Sequence, residues 1–302
     1  MSEVQLAWNG NNLCGEAPIW DFRTKSLLWM DISARQLFWL LPGNRLAEFP
    51  DLTFPASGVA LNGSNELLLG GEDGLFLYRS PLEYRAIVTE HEGAKLSIND
   101  MIADPVGRVY AGTIYWGENG MVKPGKLYLF DGLGAPRIVD DGIRLANGLG
   151  FSPDDRTLYM ADSAARTIYA YEVNSADGSL SNRRTFARIP LEDGIPDGLT
   201  VDSEGFIWCA MWYGAQVIRL DPDGTIEQRI PLPVSQVSSI AFGGKDLSTL
   251  YVTTAADAWP SPLEPPGFDW NALPTGGGLY AFRTDVPGKP EHLAQFTWPD
   301  QR

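Results

Sequence analysis

The sequence predicts an all-β fold, a six-bladed β-propeller with four antiparallel strands per blade, and three observations carry that prediction. No long stretch shows the 3.6-residue apolar period of a helix. Short apolar and β-branched runs alternate instead with Gly, Pro, Asp and Asn, the punctuation of strands joined by turns. One such pattern recurs six times along the chain.

The repeated unit is an apolar residue, a turn rich in Asp, Pro, Gly or Ser, and then a strand of alternating bulk. It opens at Trp20 in WDFRTKSLLWMD, at Leu61 in LNGSNELLLG and at Ala103 in ADPVGRVYAG. It returns at Phe151 in FSPDDRTLYMAD, at Val201 in VDSEGFIWCA and at Phe242 in FGGKDLSTLYVT. Successive starts lie 41, 42, 48, 50 and 41 residues apart. A unit of about 40–50 residues built from short strands matches one four-stranded blade. Six units fill the 302 residues, so the chain reads as one domain, 1–302. Either the extreme N-terminal strand or the C-terminal HLAQFTW is expected to close the ring. A β-sandwich or a pair of small barrels would have no reason to repeat the same turn chemistry at this interval.

Composition excludes several function classes. Apolar residues make up 44% and charged residues 20%, enough to bury a full core. The net charge of −15 argues against a nucleic-acid partner, and the longest basic run is Arg183-Arg184. Cys14 and Cys209 are too few for a disulfide framework and too far apart for a zinc knuckle, and both read as reduced core residues. MSEVQLAWNGNN has neither a basic nor an apolar leader region, and no run approaches 18 apolar residues. The expectation is a cytoplasmic protein without a membrane partner, a monomer or a weak homo-oligomer.

Four residues before each repeat start stand Glu16, Ser57, Asn99, Asn147, Asp197 and Ser238, all polar. The first strand of each blade lines a propeller's central channel, so six equivalent positions form a ring at one end of it. Two carboxylates converging there repel and are costly to desolvate unless a cation lies between them. Glu16, Asn147 and Asp197 offer only oxygen, the donor set of a hard divalent cation. Ca²⁺ is the first choice, with Mg²⁺, Mn²⁺ or Zn²⁺ as alternatives. Zn²⁺ more often recruits His or Cys, and neither His91 nor His292 lies near a ring position. Ser57 and Ser238 read better as turn-capping groups in a wet channel.

Strand order places the loops after second strands over the same end. Two are long, Thr113 to Gly125 and Ala255 to Gly278, and loops of that length are usually functional. Tyr115, Trp116, Trp259, Phe268 and Trp270 would give such a site apolar walls and a lid.

CGEAPIWD, SINDMIADPVGRVYAGT, LANGLGFSPDDRTLYMADS and IPDGLTVDSEGFIWCAMWYGAQVIRLDP resemble the senescence-marker-protein/regucalcin/gluconolactonase family. LSNRRTF and VSSIAFGGKDLSTLYVTTA extend the resemblance over nearly the whole chain. It implies a six-bladed propeller that hydrolyses sugar lactones with one divalent metal on its axis. It also implies that Glu16, Asn147 and Asp197 are the ligands, that Asn99 faces the substrate and that Asp197 is the general base. The family's substrate-binding Arg, two residues before the Asn-Asp pair, is replaced here by Ser97. Glu118 stands about one residue from the place of a further substrate-contacting Glu. The resemblance therefore carries the metal site across better than sugar specificity, and leaves room for a less polar lactone.

The reaction so implied is metal-assisted opening of a lactone to its hydroxy acid. Asp197 would accept the water proton, and Asp100 is a second choice for base or a group that orients Asn99. No Ser-His-Asp arrangement fits, because neither His stands near a Gly-x-Ser-x-Gly elbow. Two alternatives use the same ring: phosphotriester hydrolysis, and a non-catalytic metal-binding or interaction propeller.

Overall fold

In the computed structural model the described residues are 2–48, 51–117, 119–132 and 135–298. They form six four-stranded antiparallel sheets, two short two-stranded ribbons and two single-turn 3-10 helices, Ser163–Ala165 and Leu191–Asp193. Blade 1 runs through Gly15–Asp21, Ser26–Asp31, Gln36–Leu41 and Arg45–Glu48. Blade 2 follows with Gly58–Leu61, Leu67–Gly71, Gly74–Ser80 and Glu83–Val88. Blade 3 is Ile98–Ala103, Val109–Thr113, Gly125–Phe130 and Arg137–Ile143. Blade 4 is Ala146–Phe151, Thr157–Asp162, Thr167–Val173 and Leu180–Arg188. Blade 5 is Ile195–Val201, Ile207–Trp212, Gln216–Leu220 and Ile226–Pro231.

Blade 6 takes three strands from the end of the chain, Val237–Gly243, Thr249–Thr254 and Leu279–Arg283, and its fourth, Gln5–Trp8, from the beginning. Gln5 pairs with Ala281 and Leu6 with Tyr280 in antiparallel register. Of the two segments able to close the ring, the N-terminal strand does so. The C-terminal HLAQFTW has a different place: Ala294 bridges Asn62, the Phe296 N–H donates to Asn62 Oδ1 at 2.9 Å, and the Gln295 N–H donates to Gly107 O. Innermost strands of consecutive blades touch all the way round, blade 6 against blade 1 included. The six-bladed propeller expected from the repeat is the fold that forms.

Each repeated turn joins the first strand of a blade to the second. In blades 3 and 5 the Asp of the turn ties it down: Asp104 Oδ1 accepts from Val106 and Arg108 N–H, and Asp202 Oδ1 accepts from Glu204 and Phe206 N–H. The Gly takes the left-handed backbone such turns need, with φ of 94° at Gly107 and 88° at Gly205.

Apolar side chains fill the spaces between blades, one cluster at each of the six junctions. Second strands are therefore covered on both faces. SLLWMD of blade 1 and IWCAMW of blade 5 are buried at every residue, which is why they read as continuous apolar runs rather than strict alternation. No helix among the described residues is long and apolar enough to cross a membrane.

Candidate metal and active site on the propeller axis

The innermost strands share a local irregularity at one end. Pairing with the second strand slips between Glu16 and Ile19, Ile98 and Asp100, Ala146 and Leu149, Pro196 and Leu199, and Val237 and Ser239. Such bulges re-aim side chains that a regular pleat would send into the sheet faces. In blade 1 the distortion includes Ala17, whose φ of 47° is unusual for a residue with a Cβ. The Ala17 N–H donates to Glu16 Oε2 at 3.0 Å.

Four junctions carry a hydrogen bond from one blade to the carbonyl just before the next ring position. Ser57 Oγ donates to Ile98 O at 2.7 Å, Asn99 Nδ2 to Ala146 O at 2.9 Å and Ser238 Oγ to Gly15 O at 2.5 Å. Asn147 acts through an intermediary: its Nδ2 donates to Ser163 Oγ at 3.1 Å, and that hydroxyl donates to Pro196 O at 2.6 Å. This belt has two gaps, at Glu16 and Asp197. An ionised carboxylate has no hydrogen to donate, and these two face the cavity on the axis.

Asp197 is 6% exposed. Burial raises its carboxyl well above the usual range, the charges of Glu16 and Asp100 add to this, and the Asn147 amide opposes it. Burial pushes Glu16 up to about 8, against the Ala17 N–H, with Asp100 adding to the rise. Asp100 is pushed up to about 6 by burial, despite its 2.7 Å hydrogen bond from the Met101 N–H, and Glu291 contributes. Among the described residues no Lys, Arg or His lines the cavity to balance these groups.

The cavity measures about 280 Å³, and Glu16, Asn99, Asp100, Asn147 and Asp197 all line it. Asn99 Nδ2 also reaches Asn147 Oδ1 at 3.3 Å, so the two amides brace each other. Ser57 lines the cavity with its hydroxyl committed to backbone oxygen, whereas Ser238 is buried outside it. Tyr115 lies outside the lining: its hydroxyl donates to Lys95 O at 3.0 Å, and Lys123 Nζ sits 3.9 Å above its ring. Glu118 falls outside the described residues. Of the expected lid aromatics, Trp259 lines the cavity and Trp116 packs on it, with ring centroids 5.7 Å apart. Phe268 and Trp270 pack edge-on against Tyr213, outside the cavity lining. The guanidinium of Arg166 holds this loop down by donating to Leu263 O at 2.6 Å and to Gly194 O. Cys209 is a core residue as expected, but Cys14 is half-buried and lines the cavity, and burial raises its thiol well above the usual value.

Several residues of the site carry no signal that singles them out in the sequence. Ser163 orients Asn147 from a 3-10 turn. Ile32, Ile114, Leu145, Ile195 and Trp212 form the walls. Asp31 and Asp162 were visible, each ending a second strand within the quoted repeats. Asp31 accepts from the N–H groups of Leu13 and Cys14, and Asp162 from those of Arg144 and Leu145. They fix the chain as it enters the strands that bear Glu16 and Asn147.

The donor set suits a divalent cation. The buried carboxylate of Asp197, the half-buried one of Glu16 and an amide oxygen face one space without a positive side chain among the described residues, and placing a cation there removes the penalty that raises both carboxyls. Among the described residues no group of three or more His, Cys, Asp or Glu is placed to hold a metal ion, so a cation here would need the Asn147 amide oxygen beside the two carboxylates.

The model of the SMP-30/gluconolactonase/LRE-like region matches residues 14–256. A pentonolactonase of Haloferax volcanii is 35% identical over 283 residues, covering 92% of this chain and 93% of its own length. A luciferin-regenerating enzyme superposes with a TM-score of 0.85 at 26% identity, covering 97% of this chain and 99% of that one. A calcium-binding regucalcin from Agrobacterium tumefaciens superposes with a TM-score of 0.81 at 27% identity, covering 95% and 97%. With the propeller, the axial cluster and the match over most of its length, the chain belongs to the SMP-30/gluconolactonase/LRE-like family.

Proposed function

We propose that the protein hydrolyses lactones to hydroxy acids, with one divalent cation, Ca²⁺ first, held by Glu16, Asn147 and Asp197. One observation carries this reading: a buried and a half-buried carboxylate share a ligand-sized cavity with no cationic side chain among its described lining residues. The names of its relatives support the substrate class, and the calcium-binding relative supports the metal. A bound divalent cation supplies a Lewis acid that polarises the carbonyl and stabilises oxyanion charge.

The chain's own residues do the rest. Asn147 presents its amide oxygen because its Nδ2 is held by Ser163. Asn99 lies beside it and contacts the ring of the lactone. An Asp197 carboxylate oxygen takes the proton of the attacking water, and the bond from the acyl carbon to the ring oxygen breaks. The same proton passes to the alkoxide that leaves, so water is consumed and a hydroxy acid is formed. Asp100, half-buried and bonded to the Met101 N–H, adds negative charge at the floor and favours a bound cation.

The test is acid release from sugar, alkyl and unsubstituted lactones by chelated enzyme, by enzyme with each divalent cation restored, and by Asp197→Ala. Turnover that returns with metal and falls at least about a hundredfold in the variant is expected. Equal turnover by chelated enzyme, or by a folded Asp197→Ala protein, would exclude this mechanism.

A further inference from the structure

The cavity is divided by chemistry as well as by position. Its floor is the ring of inner-strand residues, Glu16, Asn99, Asp100, Asn147 and Asp197. Its walls come from loops and strand ends and are apolar. Ile32 follows the second strand of blade 1, and Ile114 that of blade 3. Leu145 precedes the inner strand of blade 4, Ile195 opens that of blade 5, and Trp212 ends the second strand of blade 5. Trp259 closes the circuit from the 255–278 loop. Apolar walls thus rise from every side except blade 2, whose Ser57 hydroxyl is already committed to the Ile98 carbonyl.

Among the described residues, a molecule seated here meets most of its polar partners at one end. The other polar groups on the described lining side chains are the Cys14 thiol, the indole N–H groups of Trp212 and Trp259, and Ser33 and Asp257 at the exposed edge. A polyhydroxylated ring would carry hydroxyls against walls whose described side chains offer few donors or acceptors beyond the indole N–H groups of Trp212 and Trp259, and each hydroxyl left without a partner weakens binding by roughly tenfold. An alkyl or aryl arm has the opposite balance, because each methylene moved from water against Ile, Leu and Trp improves binding about fourfold. The volume, about 280 Å³, is at the lower end for small-molecule sites and suits one ring with one short arm.

We infer that the preferred substrate is a five- or six-membered lactone bearing an alkyl or aryl substituent, with its carbonyl on the polar floor and the substituent against Ile32, Ile114, Trp212 and Trp259. This rests on the lactonase reading above and goes further by naming the substrate class. The ester carbon is attacked from the floor, and the hydroxy acid formed keeps its new hydroxyl on the carbon that bears the arm.

The experiment is a ladder of γ-lactones with unbranched alkyl arms of increasing length, run beside aldonolactones on metal-loaded enzyme. A kcat/KM that climbs about fourfold per methylene until the cavity is full is expected, with aldonolactones well below the top of the ladder. Ile114→Ser should flatten the ladder, lowering kcat/KM about tenfold at its longest members and by less at the unsubstituted lactone. Aldonolactones preferred over every alkyl lactone, or a flat ladder, would overturn the inference while leaving the lactonase reading intact. If no lactone is opened, the lactonase reading fails, and calorimetric titration with the matching alkyl lactams decides the inference separately. Affinity that rises with arm length upholds an apolar-armed ligand, and affinity that does not rise overturns it.

Discussion

At the scale of single residues, two side chains are out of keeping with their surroundings. Ser57, Asn99, Ser238 and, through Ser163, Asn147 each link one blade to the next. Glu16 and Asp197 hold equivalent places and, when ionised, have no hydrogen to give. Their carboxyls are raised, so between the ordinary value near 4.5 and about 8 the metal-free folded protein keeps a proton on Glu16 that the unfolded chain has released. Stability of the metal-free protein therefore falls as pH rises through that window. A cation replaces the proton, so the rise in Tm on adding Ca²⁺ to chelated protein should be larger at pH 8 than at pH 5, as scanning calorimetry would record. Asp197→Asn should abolish that rise. It also supplies an amide donor at one gap of the belt and removes a buried like charge, so the metal-free variant should melt roughly 2–4 °C above the metal-free parent at pH 8. A lower Tm for the variant would mean that the carboxylate is not a burden in the absence of metal. These positions were legible because the turn four residues downstream is distinctive in every blade. Ile32, Ile114 and Leu145 were not, since one apolar residue beside a strand looks the same whether it faces a ligand or a neighbouring blade. Tyr115 was placed in the site from sequence because strand order gives the end at which a loop emerges but not the direction its side chains take.

The element that builds the site is the bulged start of the inner strand. Five of six inner strands slip register there, and nothing in the residue pattern announced it, because a bulge is decided by how two strands meet. The glycines behind the ring residues show one cause. A Cβ on Gly198 would stand 2.0 Å from Ser239 Oγ of blade 6, and one on Gly148 would stand 2.3 Å from the Leu199 nitrogen of blade 5. Neighbouring inner strands approach too closely for any side chain at those points, so Pro-Asp-Gly is a carboxylate followed by an obligatory gap. Gly198→Ala should push blades 5 and 6 apart at the metal end, at a cost of about 1–3 kcal/mol by overpacking. Thermal unfolding would show the loss, and calorimetry should show weaker Ca²⁺ binding than in the parent. Unchanged affinity would indicate that the site tolerates a shift between those blades.

For the molecule as a whole, the repeat period revealed the architecture, since six similar units with turns at a constant offset leave few other arrangements. Which end of the chain completes the ring was not legible. Gln5–Trp8 and the C-terminal segment are both short and apolar enough, and the choice depends on which one meets the free edge of Leu279–Arg283. Removing residues 2–8 should leave that edge unpaired and produce a protein of lower Tm that associates on size-exclusion chromatography; a monomer of unchanged Tm would show that closure contributes little. The net charge of −15 neither attracts nor repels a neutral lactone, while it disfavours retention of the anionic product that the proposed reaction would make. The same closure also sets a timetable. Gln5–Trp8 leaves the ribosome before the rest of the propeller, and its partner emerges about 270 residues later, roughly 15–50 s at ordinary rates of synthesis. Throughout that interval the nascent chain carries a strand with no one to pair with. It is only four residues long, and Gln5, Leu6 and Ala7 remain exposed even in the finished ring, so the segment that must wait longest is also one of the least adhesive the protein could have placed there.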